Sequence, residues 1–166
     1  YEFLFKNGFL FPEEKFRTMG FITTARYHEL NSYYGSRTYS GVNKMVNSSL
    51  ILQDIIKNSL HNYKAGASFI YDDYNEKYND SAFVREEIIP GAFFEYNYST
   101  PRFSFLLGGR GDFHNIYGFK PTGRLHLRFS PDPKTTIRAS AGTGWRTANI
   151  FVENSSVLAS SRVVKI

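Results

Sequence analysis

The chain has no cysteine, so neither a disulfide framework nor a thiolate metal site is available to it. No apolar run reaches the length of a membrane helix. That excludes a helical span but leaves strands open, because a lipid-facing strand is apolar only at every second residue. The opening Tyr1-Glu2-Phe3-Leu4-Phe5 lacks a basic region followed by an apolar core, so no signal peptide is visible. The expectation is a processed chain or a piece of something longer. The net charge of +5 comes without a basic cluster, which argues against nucleic acid as a partner. His28, His61, His114 and His126 lack zinc spacing, Glu86-Glu87 is a charged pair rather than an acid–base couple, and Gly142-Thr143-Gly144 lacks the context of a phosphate loop. No enzyme activity, cofactor or metal is expected.

What the chain does have is alternation. In residues 62–73, Tyr63, Ala65, Ala67, Phe69 and Tyr71 oppose Lys64, Gly66, Ser68 and Asp72. Residues 102–114, 123–130 and 135–144 repeat the pattern, with Leu125, Leu127, Phe129, Ile137, Ala139 and Ala141 set against Arg124, His126, Arg128, Arg138 and Ser140. A period of two means strands with one apolar and one polar face. Aromatic residues make up 17% of the 166-residue chain, which also favours strands.

Eight strands are expected, over residues 1–10, 16–31, 44–57, 62–73, 88–98, 102–113, 123–130 and 135–144. They are long for a soluble sandwich and suit tilted membrane strands of about 9 to 11 residues. Short turns are expected at 12–15, 58–61, 99–101 and 131–134, and longer loops at 32–43, 73–87 and 115–122. Such a rhythm fits an up-and-down outer-membrane barrel. Aromatics near the strand ends suggest two interfacial belts: Phe9, Phe11, Phe16, Tyr96, Tyr98, Phe103 and Phe129 at one end, and Tyr33, Tyr34, Tyr71, Tyr74 and Trp145 at the other. Gly66, Gly91, Gly108, Gly109 and Gly111 would weaken a soluble sheet; they are read either as bulges or kinks or as space in the wall for something packed inside.

The C-terminal third resembles a known family. Arg124-Leu125-His126-Leu127-Arg128-Phe129 leads through a Pro-rich turn to Thr136-Ile137-Arg138-Ala139-Ser140-Ala141-Gly142-Thr143-Gly144-Trp145-Arg146-Thr147-Ala148-Asn149. This is similar to the mid-barrel signature R-x-S-x-G-x-G-F-R-x-x-N of TonB-dependent outer-membrane receptors, with Gly142, Gly144, Trp145, Arg146 and Asn149 at signature positions. Trp145 stands where the family usually has Phe. The continuation through Phe151-Val152-Glu153-Asn154 and residues 158–162 looks most like the branch common in Bacteroidetes.

The resemblance implies an all-β, antiparallel up-and-down meander forming part of a transmembrane barrel. Family barrels have about 22 strands, so residues 1–166 are expected to be a partial barrel domain. Residues 146–166 are expected as an extracellular loop, and the plug domain, TonB box and closing aromatic strand are not visible. It implies active uptake of a nutrient such as an iron chelate, cobalamin or glycan across a Gram-negative outer membrane. The partners implied are the TonB complex through a plug, outer-membrane lipid and a small nutrient ligand, together with strand-mediated self-association of a fragment.

Arg102, Arg110, Asp112, Arg124, His126, Arg128 and Arg138 form the polar row expected to face the lumen and to meet the plug, an anionic substrate or each other. Tyr33, Tyr34, Tyr74 and Tyr78 are expected to meet substrate in external loops. Two other readings stay open: a self-contained eight-stranded outer-membrane anchor or adhesin, and a soluble ligand-binding β-barrel.

Overall fold

A strand with one apolar face leaves its backbone N–H and C=O groups pointing sideways, and each needs a partner in the next strand. In the computed structural model, which describes residues 1–14, 16–35 and 37–153, each strand finds that partner in its chain neighbour. The strands are β1 (Glu2–Leu10), β2 (Thr18–Tyr34), β3 (Arg37–Ile56), β4 (Asn58–Tyr78), β5 (Ser81–Ser99), β6 (Phe103–His114), β7 (Gly118–Asp132) and β8 (Thr135–Gly142). They form one antiparallel sheet in the order β1 to β8. Among the described residues β1 pairs only with β2 and β8 only with β7, so the sheet is open. A self-contained closed eight-stranded barrel is not what these residues form. A four-residue helix, α1 (Ile150–Glu153), follows β8.

Three expected loops are strands instead. β2 and β3 run on through 32–43 to a tight turn at Gly35, β4 and β5 through 73–87 to one at Asn79, and β6 and β7 narrow 115–122 to a short connection ending at Gly118. Gly35, Asn79 and Gly118 take positive φ, the left-handed conformation such turns require. The expected turn at 58–61 contracts to Lys57, also at positive φ, beside a register shift between Ile55 and Ile56. The sequence signal for a strand fades where the apolar face ends, but the hydrogen-bond ladder does not. β4 therefore reaches 21 residues with charged and tyrosine side chains on its outer half. The Asn79 side chain ties this turn to β3 by accepting from the Thr38 N–H at 3.0 Å.

The register fixes the two faces. One carries rows such as Phe9, Met19, Leu52, Ala65 and Phe94, then Tyr63, Tyr96, Leu107, Leu125 and Ala141, then Phe103, Phe129 and Ile137. Most of the large side chains on this face, Phe94, Leu107 and Ile137 among them, are exposed. Its occasional hydroxyls satisfy one another, as Thr23 and Ser48 do at 3.0 Å across β2 and β3. The opposite face holds nearly all the buried polar residues: Ser68, Asp72, Glu76, Glu87, Glu95, Asp112 and His114. This is a soluble protein turned inside out, and a soluble barrel with aromatics inward does not fit it. Arg124 and Arg138 are also exposed, because the open sheet leaves its polar face uncovered there.

On β5 the apolar face runs over residues 88–98. At about 3.4 Å per residue and a tilt of about 45°, it climbs roughly 26 Å, the height of a barrel's lipid band. His61, Tyr96, Tyr98, Phe103 and Phe105 pack ring against ring at its lower edge, as an interfacial belt does. Tyr74 and Trp145 leave the expected upper belt for the polar face. Lys15, Ser36 and residues 154–166, with the family-like stretch 158–162 and the end of the expected 146–166 loop, lie outside the described residues.

The band makes a positional prediction. Phe94→Arg, near mid-band, is expected to destabilise the folded barrel in vesicles by about 2–4 kcal/mol, whereas Glu86→Arg, beyond the band, is expected to cost less than about 1 kcal/mol. Equal costs in urea unfolding of the two variants would refute the assigned lipid face.

Candidate functional site on the polar face

Glycine places the first charged contacts. Across β5, β6 and β7 one row reads Glu95, Gly108, Arg124. Without a side chain at Gly108, Arg124 lies over it and reaches the buried Glu95 carboxylate. The next such row reads Ser68, Gly91, Asp112. Asp112 leans over Gly91, where a Cβ would strike its carboxylate. Arg110 then grips Asp112 with Nε and Nη2, both at 2.7 Å, and donates from Nη2 to the Ser68 hydroxyl, also at 2.7 Å. The space expected for something packed inside is, at these two glycines, filled by the wall's own ion pairs.

Beyond Gly142 the chain turns off the sheet and crosses the polar face as an extended strap, residues 143–149, into α1. Its odd-numbered residues fasten it to the wall. The Trp145 indole N–H donates to Asp112 at 3.3 Å, and its ring meets His114 edge-on. Thr147 Oγ1 lies 3.2 Å from His114 Nε2, and the Asn149 side chain donates to Glu76 at 3.2 Å. Phe151, in α1, seats among Tyr39, Tyr78 and Phe83 with ring centroids 5.2–6.1 Å away. The even-numbered Arg146 points elsewhere and pairs with Glu153 at 2.8 Å.

His114 is fully buried under this strap. Its Nδ1 accepts the N–H groups of Ile116 (3.0 Å) and Tyr117 (3.4 Å), so the ring proton belongs on Nε2. There it faces Glu87 at 3.4 Å as well as Thr147. Glu87 is 4% exposed and also pairs with Arg85 at 2.9 Å. Arg85 in turn stacks on the Tyr74 ring at 4.5 Å and donates to the carbonyl of Ala148 on the strap at 3.1 Å.

Above the band, Tyr74 donates to Asp72 at 2.9 Å, and Asn43 donates to the same carboxylate. Burial first, then the Asp72 carboxylate, pushes the Tyr74 hydroxyl up to about 12. Burial also holds the Asp72 carboxyl above its usual range, against the pull of Asn43 and Tyr74.

Of the expected polar row, Arg110, Asp112 and Arg124 join this network. Arg128 donates to the Thr100 carbonyl at 2.9 Å, directly across from an exposed Arg138, with His126 exposed beside them. Arg102 stands apart, exposed just before β6, where its carbonyl receives the Ser130 N–H at 2.7 Å. The four tyrosines do not assemble. Tyr74 and Tyr78 stand on the polar face of β4, Tyr33 is exposed near the tip of β2, and Tyr34 is its last residue. Sequence reasoning missed Glu76, Glu87, Glu95, His114 and Thr147. The available signal was acid placement: Glu87 and Glu95 fall on the polar phase of β5, as Asp72 and Glu76 do on β4.

An outward apolar band, an inward network of ion pairs and a strap carrying the G-x-G-aromatic-R run together describe the wall of a large barrel. The family model described as TonB dependent receptor-like, beta-barrel matches residues 3–160. The chain belongs to this family. No curated protein and no solved structure matches it. TonB-dependent receptors are outer-membrane transporters of Gram-negative bacteria rather than enzymes. In this receptor wall, Trp145 in place of Phe supplies an indole N–H, and Asp112 is the acceptor it reaches.

Three outcomes follow for the network. Gly108→Val, which forces Arg124 off the buried Glu95, is expected to cost about 1–3 kcal/mol by overpacking, read as a lowered midpoint in urea. Trp145 is the single tryptophan of the chain, and Asp112→Ala is expected to shift its emission to longer wavelength as the strap loosens. Unchanged emission would remove Asp112 as the strap's anchor. Tyr74, raised in the folded state, lends stability that is complete below its ordinary value of about 10 and is lost as pH rises through about 12. Ultraviolet titration of Tyr74→Phe against the parent is expected to lack one phenolate step near that upper value.

Proposed function

We propose that this chain is wall and strap of a receptor that actively imports a scarce nutrient across an outer membrane. The nutrient classes that suit the family are iron chelates, cobalamin and glycans. Energy reaches the lumen through a plug coupled to TonB, and the wall guides both plug and cargo. The observation that carries this reading is the pairing of a lipid-facing apolar band with an inward ionic face in a chain matched by the family over residues 3–160.

The lumen-facing row then divides its labour. Arg110, Asp112 and Arg124 are occupied in setting the wall. Arg128 and Arg138, directly opposite each other, remain to receive carboxylates of the plug or of an anionic substrate, because like charges facing across a ladder repel unless countered. Arg102, His126 and the tyrosines Tyr33, Tyr34, Tyr74 and Tyr78 serve as secondary contacts at the two mouths.

Uptake tests the reading. A strain lacking the receptor is expected to lose growth on at least one limiting nutrient (chelated iron, cobalamin or a glycan), and loss of TonB is expected to abolish the same growth. Complementation with an Arg128→Glu, Arg138→Glu double variant is expected to restore membrane insertion but less than about a tenth of uptake, in keeping with a charge reversal at paired sites. Growth indifferent to both the receptor and TonB would defeat the proposal.

A further inference from the structure

Between the strap and strands β2 to β4 lies a cleft of about 330 Å³ that the ion pairs leave unfilled. Its lining includes Arg26, His28, Asn43, Tyr74, Glu76 and Arg146. Most of the lining is wall, and the strap with α1 closes one side of it, so the cleft exists only while the strap is seated. The volume is at the lower end of the range for small-molecule sites.

The carboxylates of the cleft are already engaged. Glu76 accepts from the Tyr39 hydroxyl at 2.7 Å and from Asn149 at 3.2 Å. Glu153 is held by Arg146 at 2.8 Å. The neighbouring Asp72 accepts from Asn43 and Tyr74. The donors are less committed. Arg26 has five N–H donors, and its hydrogen bond is to the Met45 sulfur at 3.8 Å, a weak acceptor. His28 is exposed beside it on the same face of β2. Arg146 keeps a side chain that is 76% exposed. The free hydrogen-bonding capacity is therefore rich in donors, carried by two guanidinium groups whose charge balances the two lining carboxylates, and a guanidinium fork suits a carboxylate. Acceptor capacity survives in the Asn43 side-chain carbonyl, and tyrosine rings complete a lining suited to hydroxyl-bearing molecules.

We infer that this cleft binds a small hydroxylated carboxylate, of the chemical class of the sugar acids, held by Arg26 and His28 from the wall and Arg146 from the strap. The inference rests on the receptor reading above and names a ligand class for its outer vestibule. Calorimetry on the intact receptor tests it, with glucuronate as the probe and glucose as its uncharged counterpart. Glucuronate is expected to bind at least about tenfold more tightly than glucose, and Arg26→Gln to weaken it by about tenfold to a hundredfold, as removal of a charged hydrogen-bond donor does. Arg146→Gln is expected to weaken it as well, because the change also releases Glu153 toward the cleft. Lys77→Gln, which removes a charge from the opposite face, is expected to leave binding unchanged and so serves as the control for net charge. Equal affinity for glucose, or an Arg26→Gln variant that binds normally, would overturn the assignment. So would binding of neither sugar by a receptor that still shows TonB-dependent uptake, an outcome that leaves the transport reading intact. Tight glucuronate binding without any TonB-dependent uptake would instead defeat the transport reading alone.

Discussion

Lipid offers a backbone no hydrogen bonds, and that constraint orders everything else in this chain. Every N–H and C=O within the band must be met by a neighbouring strand, which is why the eight strands pair strictly in sequence. Once the ladder fixes the backbone, the period of two assigns each side chain to lipid or lumen with no freedom left. The apolar face needs little internal packing because lipid solvates it. The polar face is where the chain's specific contacts accumulate.

Those contacts show how a wall stays ordered without an apolar core. Asp112, 3% exposed, is held by Arg110 and capped by Trp145. Glu87 sits between Arg85 and His114. Buried ion pairs are weak stabilisers on balance, since desolvation offsets much of the attraction, but breaking one side leaves a costly lone charge. Their effect here is positional. With hydrogen bonds between residues distant in sequence, such as Asn149 to Glu76, they hold the strap at one height against the wall.

The sequence made the band legible and the rest less so. Residues 88–98 and 62–73 announced themselves by alternation, because lipid demands an unbroken apolar row. The same strands beyond Asp73 and before Ile88 face water on both sides, so no hydropathy contrast marks them, and Tyr- and charge-rich hairpins read as loops. The strap was visible only as a family motif. Its fastening depends on contacts between residues far apart in the chain, such as Trp145 with Asp112 and Thr147 with His114, and local pattern carries no trace of them. The glycines were visible as gaps, but Gly108 alone does not say that Arg124 will cross it. That required the register, which placed Glu95 on the far side.

The early exit of the strap has a mechanical consequence. β8 pairs with β7 only from Arg124 downward, so on that side the edge of β7 above Gly123 is open among the described residues. Part of this edge, around Phe119 and Pro121, is level with the lipid band. Pro121 lacks one donor by nature, but the remaining groups still need partners. Those groups therefore call for a partner other than β8, one that meets β7 where the strap leaves it. The departure of the strap thus divides this edge of β7 into a lower part paired with β8 and an upper part left for another partner, so the strap leaves the wall at a step in its pairing and not along a continuous seam.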